Sequence, residues 1–450
     1  MIFLLALATT SAAPAACPPL DLPHAIRLAI ERSDEIAIKK ADLYGAEADL
    51  GLAKALQWIP SATATLVGGT VPDAHGNILV SDTTNRDFTH LGPFGRLDVN
   101  VTQPLWTWGQ LSAARDAARA GVSARTLLVH DQEARIQLRV VQLYWGAALA
   151  QRLLDIAADV NGALQKAEQT INESLASGEG NLGVDDKYRV ELFRAVLGQR
   201  TADARKALAM ARAGLAATLA LREPDLKLDL QPLPREEPPP FPSALQAQET
   251  AEQRRSDLRA LAEAVKASEQ AVDGARGALY PQLFVAGSAA YAYAPNRDIQ
   301  LNPWIYDPFN TVWIGAVIGV AQNLSFPLLF AKIRKAQADL GVAERQRQGL
   351  ARLVQAEVDQ ALAEATAALD KEQSAKGALG AGKTWFRSTE MTFGVGTSSG
   401  RDLIDAYTGY VQSQVDMAQA QYELSVARAH LDQVTGSLEP PPGDAACSAP

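Results

Sequence analysis

Gly377-Ala378-Leu379-Gly380-Ala381-Gly382-Lys383-Thr384 has the spacing of a phosphate-binding loop, G-x-x-x-x-G-K-T. That chemistry needs a buried strand just before the loop, so that backbone N–H groups can wrap a phosphate at a helix start. Here the preceding residues are Asp370-Lys371-Glu372-Gln373-Ser374-Ala375-Lys376, a solvated helical stretch. The segment therefore reads as an Ala/Gly-rich turn inside a long helix. Close packing there offsets the glycine cost of about 1 kcal/mol each. Gly178-x-Gly180-x-x-Gly183 matches a dinucleotide fingerprint, but it follows a helix and no βαβ unit surrounds it. It reads as a hairpin between antiparallel helices. Asn172-Glu173-Ser174 matches a glycosylation sequon inside a helical stretch and carries no weight by itself. No Ser/His/Asp or Cys/His set, zinc spacing or acid/base carboxylate pair emerges, so nothing argues for an enzyme or a cofactor. Four methionines and five histidines are too few for a soft-metal relay.

What could hold such residues is a duplicated plan. Leu56-Gln57-Trp58-Ile59-Pro60 opens a strand-like stretch that Val101-Thr102-Gln103-Pro104-Leu105 closes. In the second half, Leu279-Tyr280-Pro281-Gln282 and Leu324-Ser325-Phe326-Pro327-Leu328 do the same. No proline then occurs from Leu105 to Glu223, or from Leu328 to Glu439. The periodicity predicts a helix over 24–57, a strand over 61–71, a polar loop over 72–95 and an alternating strand over 97–101. Helices over 109–177 and 184–221 follow, with a break at Gly178–Gly183. The second repeat reads as a helix over 243–279, strands over 282–293 and 312–326, and a long helix over 329–392. A break at Gly394–Gly400 and a last helix to about Gly436 complete it. The Ala, Leu, Arg, Gln and Glu of 109–177 are strong helix formers. At ~1.5 Å per residue they give a rod of about 100 Å, which must lie along other helices as a coiled coil.

The domains are thus a first repeat over 24–222, a Pro-rich strap over 223–242, a second repeat over 243–436 and a disordered tail over 437–450. The strap holds seven prolines, from Pro224 to Pro242. Residues 1–16 read as a secretory signal with Ala13-Pro14-Ala15 as its cleavage site, although no Lys or Arg precedes the apolar run. The two cysteines, Cys17 and Cys447, lie outside the repeats. Cys17 could be lipidated, the two could form a bridge, or they could stay free or be cleaved away. A net charge of −9 disfavours a nucleic-acid partner, which needs a basic face.

Outside the signal no run of 18 apolar residues occurs, so any membrane crossing must be a closed barrel. Leu97, Val99 and Val101 alternate with Asp98, Asn100 and Thr102, as on a strand between an apolar and a wet environment. Trp106, Trp108 and Trp313 suit membrane-interface positions, and ordinary core packing is the plainer alternative. Four strands cannot close a barrel, but three chains would pool twelve.

Phe393-Gly394-Val395-Gly396-Thr397-Ser398-Ser399-Gly400-Arg401-Asp402-Leu403-Ile404-Asp405-Ala406 is similar to a family pattern. That pattern runs aromatic, Val-Gly-Thr, four variable residues, then Asp-hydrophobic-hydrophobic-Asp-Ala. With the duplicated plan, the chain resembles the TolC-like outer-membrane efflux proteins of Gram-negative bacteria over about residues 24–436. The resemblance implies a mainly α fold with membrane β: a homotrimer sharing one 12-stranded barrel, continued by an α-helical coiled-coil tunnel in the periplasm. It implies an exit channel for drugs and small toxic compounds, served by a periplasmic adaptor and an inner-membrane pump. A type I protein-secretion duct is the alternative within that class, and a non-porous coiled-coil scaffold the alternative outside it.

In the family, the two motif aspartates line the periplasmic mouth, so Asp402 and Asp405 become pore-constriction residues. Three apart, they share a helix face, and threefold symmetry would gather six carboxylates whose mutual repulsion raises their pKa. Ser399 and Asp402 also fit a capping box, a local role compatible with the ring. Asp185 and Asp186 are the corresponding first-half candidates. The glycine turns, with Gly178, Gly180 and Asn181 in one repeat and Gly394, Gly396 and Thr397 in the other, are the expected adaptor contacts. The motif departs from one compared member at Phe393, where that member has Tyr, and at Ser398, where it has Arg. Both help latch that member's mouth, so the latch here must differ.

Overall fold

The computed structural model describes residues 20–76, 85–177, 184–234, 239–300, 304 and 306–438. Its helices are α1 (Leu22–Arg32), α2 (Asp34–Trp58), α3 (Gln110–Ser177), α4 (Val184–Thr218), α5 (Ala244–Arg254), α6 (Ser256–Gly277), α7 (Phe326–Gly394) and α8 (Gly400–Val434). Its strands are β1 (Ser61–His75), β2 (Asn85–Trp106), β3 (Gln282–Tyr293) and β4 (Thr311–Ala321). The duplication is plain in this order. Each repeat is two helices, two strands, one very long helix and one of 35 residues. The chain divides into two compact units.

One unit, 40–127 with 257–350, carries the sheet. The four strands form one antiparallel sheet in sequence order, leaving β1 and β4 as its edges. The polar loop expected over 72–95 is largely strand. β1 runs on to His75 and β2 starts at Asn85, with a register shift after Pro72. Ring constraints make Pro72 and Pro93 look like strand breakers, yet a bulge absorbs Pro72, and Pro93 stays in register opposite Thr70. The loop over 294–310 braces this longer hairpin. Asp298 accepts hydrogen bonds from the Gly76 N–H at 2.9 Å and lies 3.3 Å from the His75 ring. Arg297 donates to the Pro72 carbonyl and lies over the Phe309 ring.

The other unit comprises 1–39, 128–256 and 351–450, and its described residues are mainly helical. Its core includes Ile156, Val160, Leu164 and Ile171 of α3 with Val190 of α4, packed against Phe193, Leu197, Tyr407, Val411 and Val415. Tyr144 is fully buried and ties the strap down. Its hydroxyl donates to the Asp229 carbonyl at 2.6 Å and accepts from the Gln231 N–H at 3.1 Å. Burial pushes that phenol above its ordinary pKa. Leu20 pairs with Leu228 beside it.

Two further expectations need correction. The single helices expected over 24–57 and 243–279 are each split, at Ser33 and at Arg255, where the backbone turns extended. Neither site has a proline or glycine to announce it, so periodicity runs through the break. β4 stops at Ala321, short of the expected 326, because α7 starts at Phe326 with Pro327 in its first turn, a position that needs no N–H.

Candidate functional site

The register sorts the sheet into two faces. On one, Ala62, Ala64 and Leu66 of β1 stand beside Val101, Val99 and Leu97 of β2. Gly287, Ala289 and Tyr291 of β3 follow, then Ala316, Ile314 and Val312 of β4. Lower on that face, Val285 and Leu283 oppose Ile318 and Val320. Every one of these positions is apolar or Tyr, and many are open to solvent; Ile314 is 86% exposed. Gln103 is the polar intrusion, and its amide turns aside to the Gln57 and Pro104 carbonyls. The opposite face is polar on β1 and β2, with Ser61, Thr63 and Thr65, then Thr102, Asn100, Asp98 and Arg96; on β3 and β4 it carries Ser288 and Thr311 among Ala286, Ala290, Trp313 and Val317. Arg96 and Asp98 pair there at 2.7 Å. A wet face backed by a dry exposed face is the inverse of a globular sheet, whose dry face is covered.

The three tryptophans do not share one role. Trp106 stands opposite Leu283, at one end of the dry face, with Tyr291 and Tyr293 at the other. Trp108 lies in the turn after β2 with φ +50, donates its indole N–H to the Pro281 carbonyl at 2.7 Å and packs on Tyr280. Trp313 sits between Val312 and Ile314 and opposite Ala290, hence on the face opposite to theirs, shared with Asp98. Alternation alone could have shown this, since Trp313 is out of phase with its apolar neighbours.

At the end of α7 the chain reverses in a tight turn. The Thr397 N–H donates to the Thr392 carbonyl at 3.0 Å and the Gly396 N–H to the Phe393 carbonyl at 3.0 Å. This Schellman arrangement requires a left-handed residue, and Gly396 supplies it at φ +77. The Ser398 hydroxyl meets that of Thr392 at 2.6 Å, so the residue replacing the expected arginine is used within the turn. Ser399 then starts α8 as a full capping box. The Asp402 N–H donates to the Ser399 hydroxyl, and the Asp402 carboxylate accepts from the Ser399 N–H and hydroxyl. In the single chain these bonds hold the Asp402 carboxyl below the usual carboxylate range. Asp405 is exposed and lies 3.8 Å from Arg401, one helical turn before it. Asp185 and Asp186 occupy the first turn of α4, and Asp186 faces Arg189 at 3.6 Å. Gly178, Gly180 and Asn181 lie outside the described residues, as do both cysteines and the expected signal.

The phosphate-loop spacing at 377–384 is entirely helical, within α7. Gly382 is there for contact, since a Cβ on it would lie 2.9 Å from the Ser413 hydroxyl of α8. Residues missed by the sequence reading sit on the same pair of helices. Phe386 stacks on Tyr410 and packs on Tyr407, a spacing of aromatics that could have signalled it. Among the described residues no helix is long and apolar enough to cross a membrane.

A dry open sheet feeding long helical hairpins defines the class: the fold is that of the TolC-like outer-membrane channels. VceC, an outer membrane protein of Vibrio cholerae, aligns at TM-score 0.72 and 16% identity, over 92% of this chain and 96% of that one. The open-state MtrE outer membrane channel of Neisseria gonorrhoeae gives 0.73 and 17%, over 93% and 90%. CusC, whose structures concern folding and transmembrane channel formation, gives 0.74 and 16%, over 95% of each chain. No curated protein matches the sequence significantly. Residues 248–437, within the second repeat, match the family model described as outer membrane efflux protein. The resemblance carried by Phe393–Ala406 is thereby upheld.

Proposed function

We propose that three copies of this chain share one twelve-stranded barrel in the outer membrane. The barrel is the exit for small molecules handed on by an inner-membrane pump and a periplasmic adaptor. The observation that carries this reading is the two-faced sheet with two unpaired edges. Joining β1 of one copy to β4 of the next removes both edges, which otherwise invite indiscriminate pairing. It also turns the apolar face outward to lipid and the Ser/Thr/Asn/Asp face inward to water. From Leu283 to Tyr291 the apolar band spans about 27 Å along the strand at ~3.4 Å per residue. At a tilt of about 40° that becomes roughly 20 Å, near the height of a barrel's lipid band. The aromatics at its two ends, Trp106 and the Tyr291/Tyr293 pair, then fall where headgroups would lie.

In the same reading Asp402 and Asp405 gather about the threefold axis at the periplasmic mouth, with Asp185 and Asp186 nearby. The turn Gly394–Thr397 and its first-half counterpart at 178–181 meet the adaptor. The decisive experiment is fractionation followed by native mass measurement. Three copies released from outer membranes, forming a conducting pore in planar bilayers, agree with the proposal. A soluble or one-copy species in native lipid overturns it and favours a solid coiled-coil scaffold.

A further inference from the structure

A cavity of about 190 Å³ opens in the helical unit, where α3 and α4 lie against α7 and α8. Its walls are apolar: Leu164 of α3, Phe193 of α4, Phe386 of α7, and Leu403 and Tyr407 of α8. Glu390 of α7, an exposed residue, is the one charged residue lining it, and no ion pair to it is found among the described residues. The volume exceeds the roughly 150 Å³ of an engineered apolar cavity that admits benzene. A packed helical core rarely leaves such a space unfilled. Here the space is contiguous with the core that Leu164, Val190 and Phe193 help to form.

Three aromatic rings and an unpaired carboxylate are the elements by which proteins hold organic cations, since the face of a ring carries negative potential. Burial, then the negative charge of Asp159, holds the Tyr407 hydroxyl above its ordinary pKa. We propose that this cavity is a binding site for a small organic cation, such as a quaternary or protonated amine on an aromatic body. The apolar body lies against Leu164, Leu403 and Phe193, and the cationic head lies between Tyr407 and Glu390. All of the residues that line the cavity belong to one chain. Leu403 and Ile404, which line it, stand between Asp402 and Asp405 in sequence, in the first turns of α8.

The test uses the purified full chain in maltoside micelles, with benzyltrimethylammonium and its uncharged isostere neopentylbenzene as ligands. Titration calorimetry and saturation-transfer NMR read binding whatever the oligomeric state, so failure of the conduit reading leaves this test intact. The ammonium compound should bind saturably. Glu390→Gln, at an exposed position, should weaken it about fivefold while changing the isostere by no more than about twofold. Ala167→Leu, which adds volume at the cavity wall, should weaken both ligands. If that variant fails to fold, the paired response of Glu390→Gln decides alone. Absence of saturable binding, or equal loss for cation and isostere in Glu390→Gln, overturns the proposal.

Discussion

Asp402 serves its own helix in the single chain, whatever it does at a shared mouth. Its lowered carboxyl pKa means that the cap contributes stability above the unfolded pKa of about 3.9, and that this contribution disappears as pH falls through the lower folded value. Asp402→Asn should therefore melt below the parent protein at pH 7, and the gap should close on acidification. Thermal melts at a series of pH values measure this directly. Losing the Ser399 side chain should cost about 1 kcal/mol of helix stability. If the ring also forms, Asp402→Ala with Asp405→Ala should weaken block by multivalent cations in planar bilayers. Unchanged block would leave both residues with local roles only. The capping box was legible in Ser399 and Asp402 because it needs only neighbours in the chain. The use of Ser398 was not, because its Thr392 partner is chosen by how the turn closes.

Among the elements, α3 shows how much a pattern can give away. Its 68 residues match the expected helix to within one position at its start, since no proline or helix break competes. Leu138→Pro, in the middle of α3, should cost about 3 kcal/mol or more and abolish assembly. A normal native mass would contradict that. Tyr144→Phe leaves the Asp229 carbonyl and Gln231 N–H without their buried partner, at about 1–3 kcal/mol each. A denaturant midpoint shift with unchanged slope would report it. That tyrosine was illegible beforehand, because its partners lie far along the chain, in the strap. The breaks at Ser33 and Arg255 escaped for a different reason. An extended residue between two helices leaves helical spacing almost unchanged, and only the capping box at Ser243–Gln246 hinted at a short α5. The Pro72–Gly95 stretch misled in the opposite sense, since its glycines and prolines lie within a bulged ladder.

For the assembled molecule, the two faces of the sheet make a paired prediction. Val99 stands on the dry face and Asn100 beside it on the wet one. Val99→Lys should therefore destabilise a lipid-embedded barrel by about 2–4 kcal/mol near mid-membrane, whereas Asn100→Lys should assemble normally. The amount of heat-labile trimer recovered from outer membranes distinguishes the two. Equal recovery would remove the lipid assignment of that face. The strands also differ in height. β1 and β2 are 15 and 22 residues long, while β3 and β4 are 12 and 11. The tall hairpin continues past Tyr293, where β3 ends, and Arg297 and Asp298 buttress it from below. If three such chains close one cylinder as proposed, its lip would be crenellated, with three raised posts alternating with three low sills.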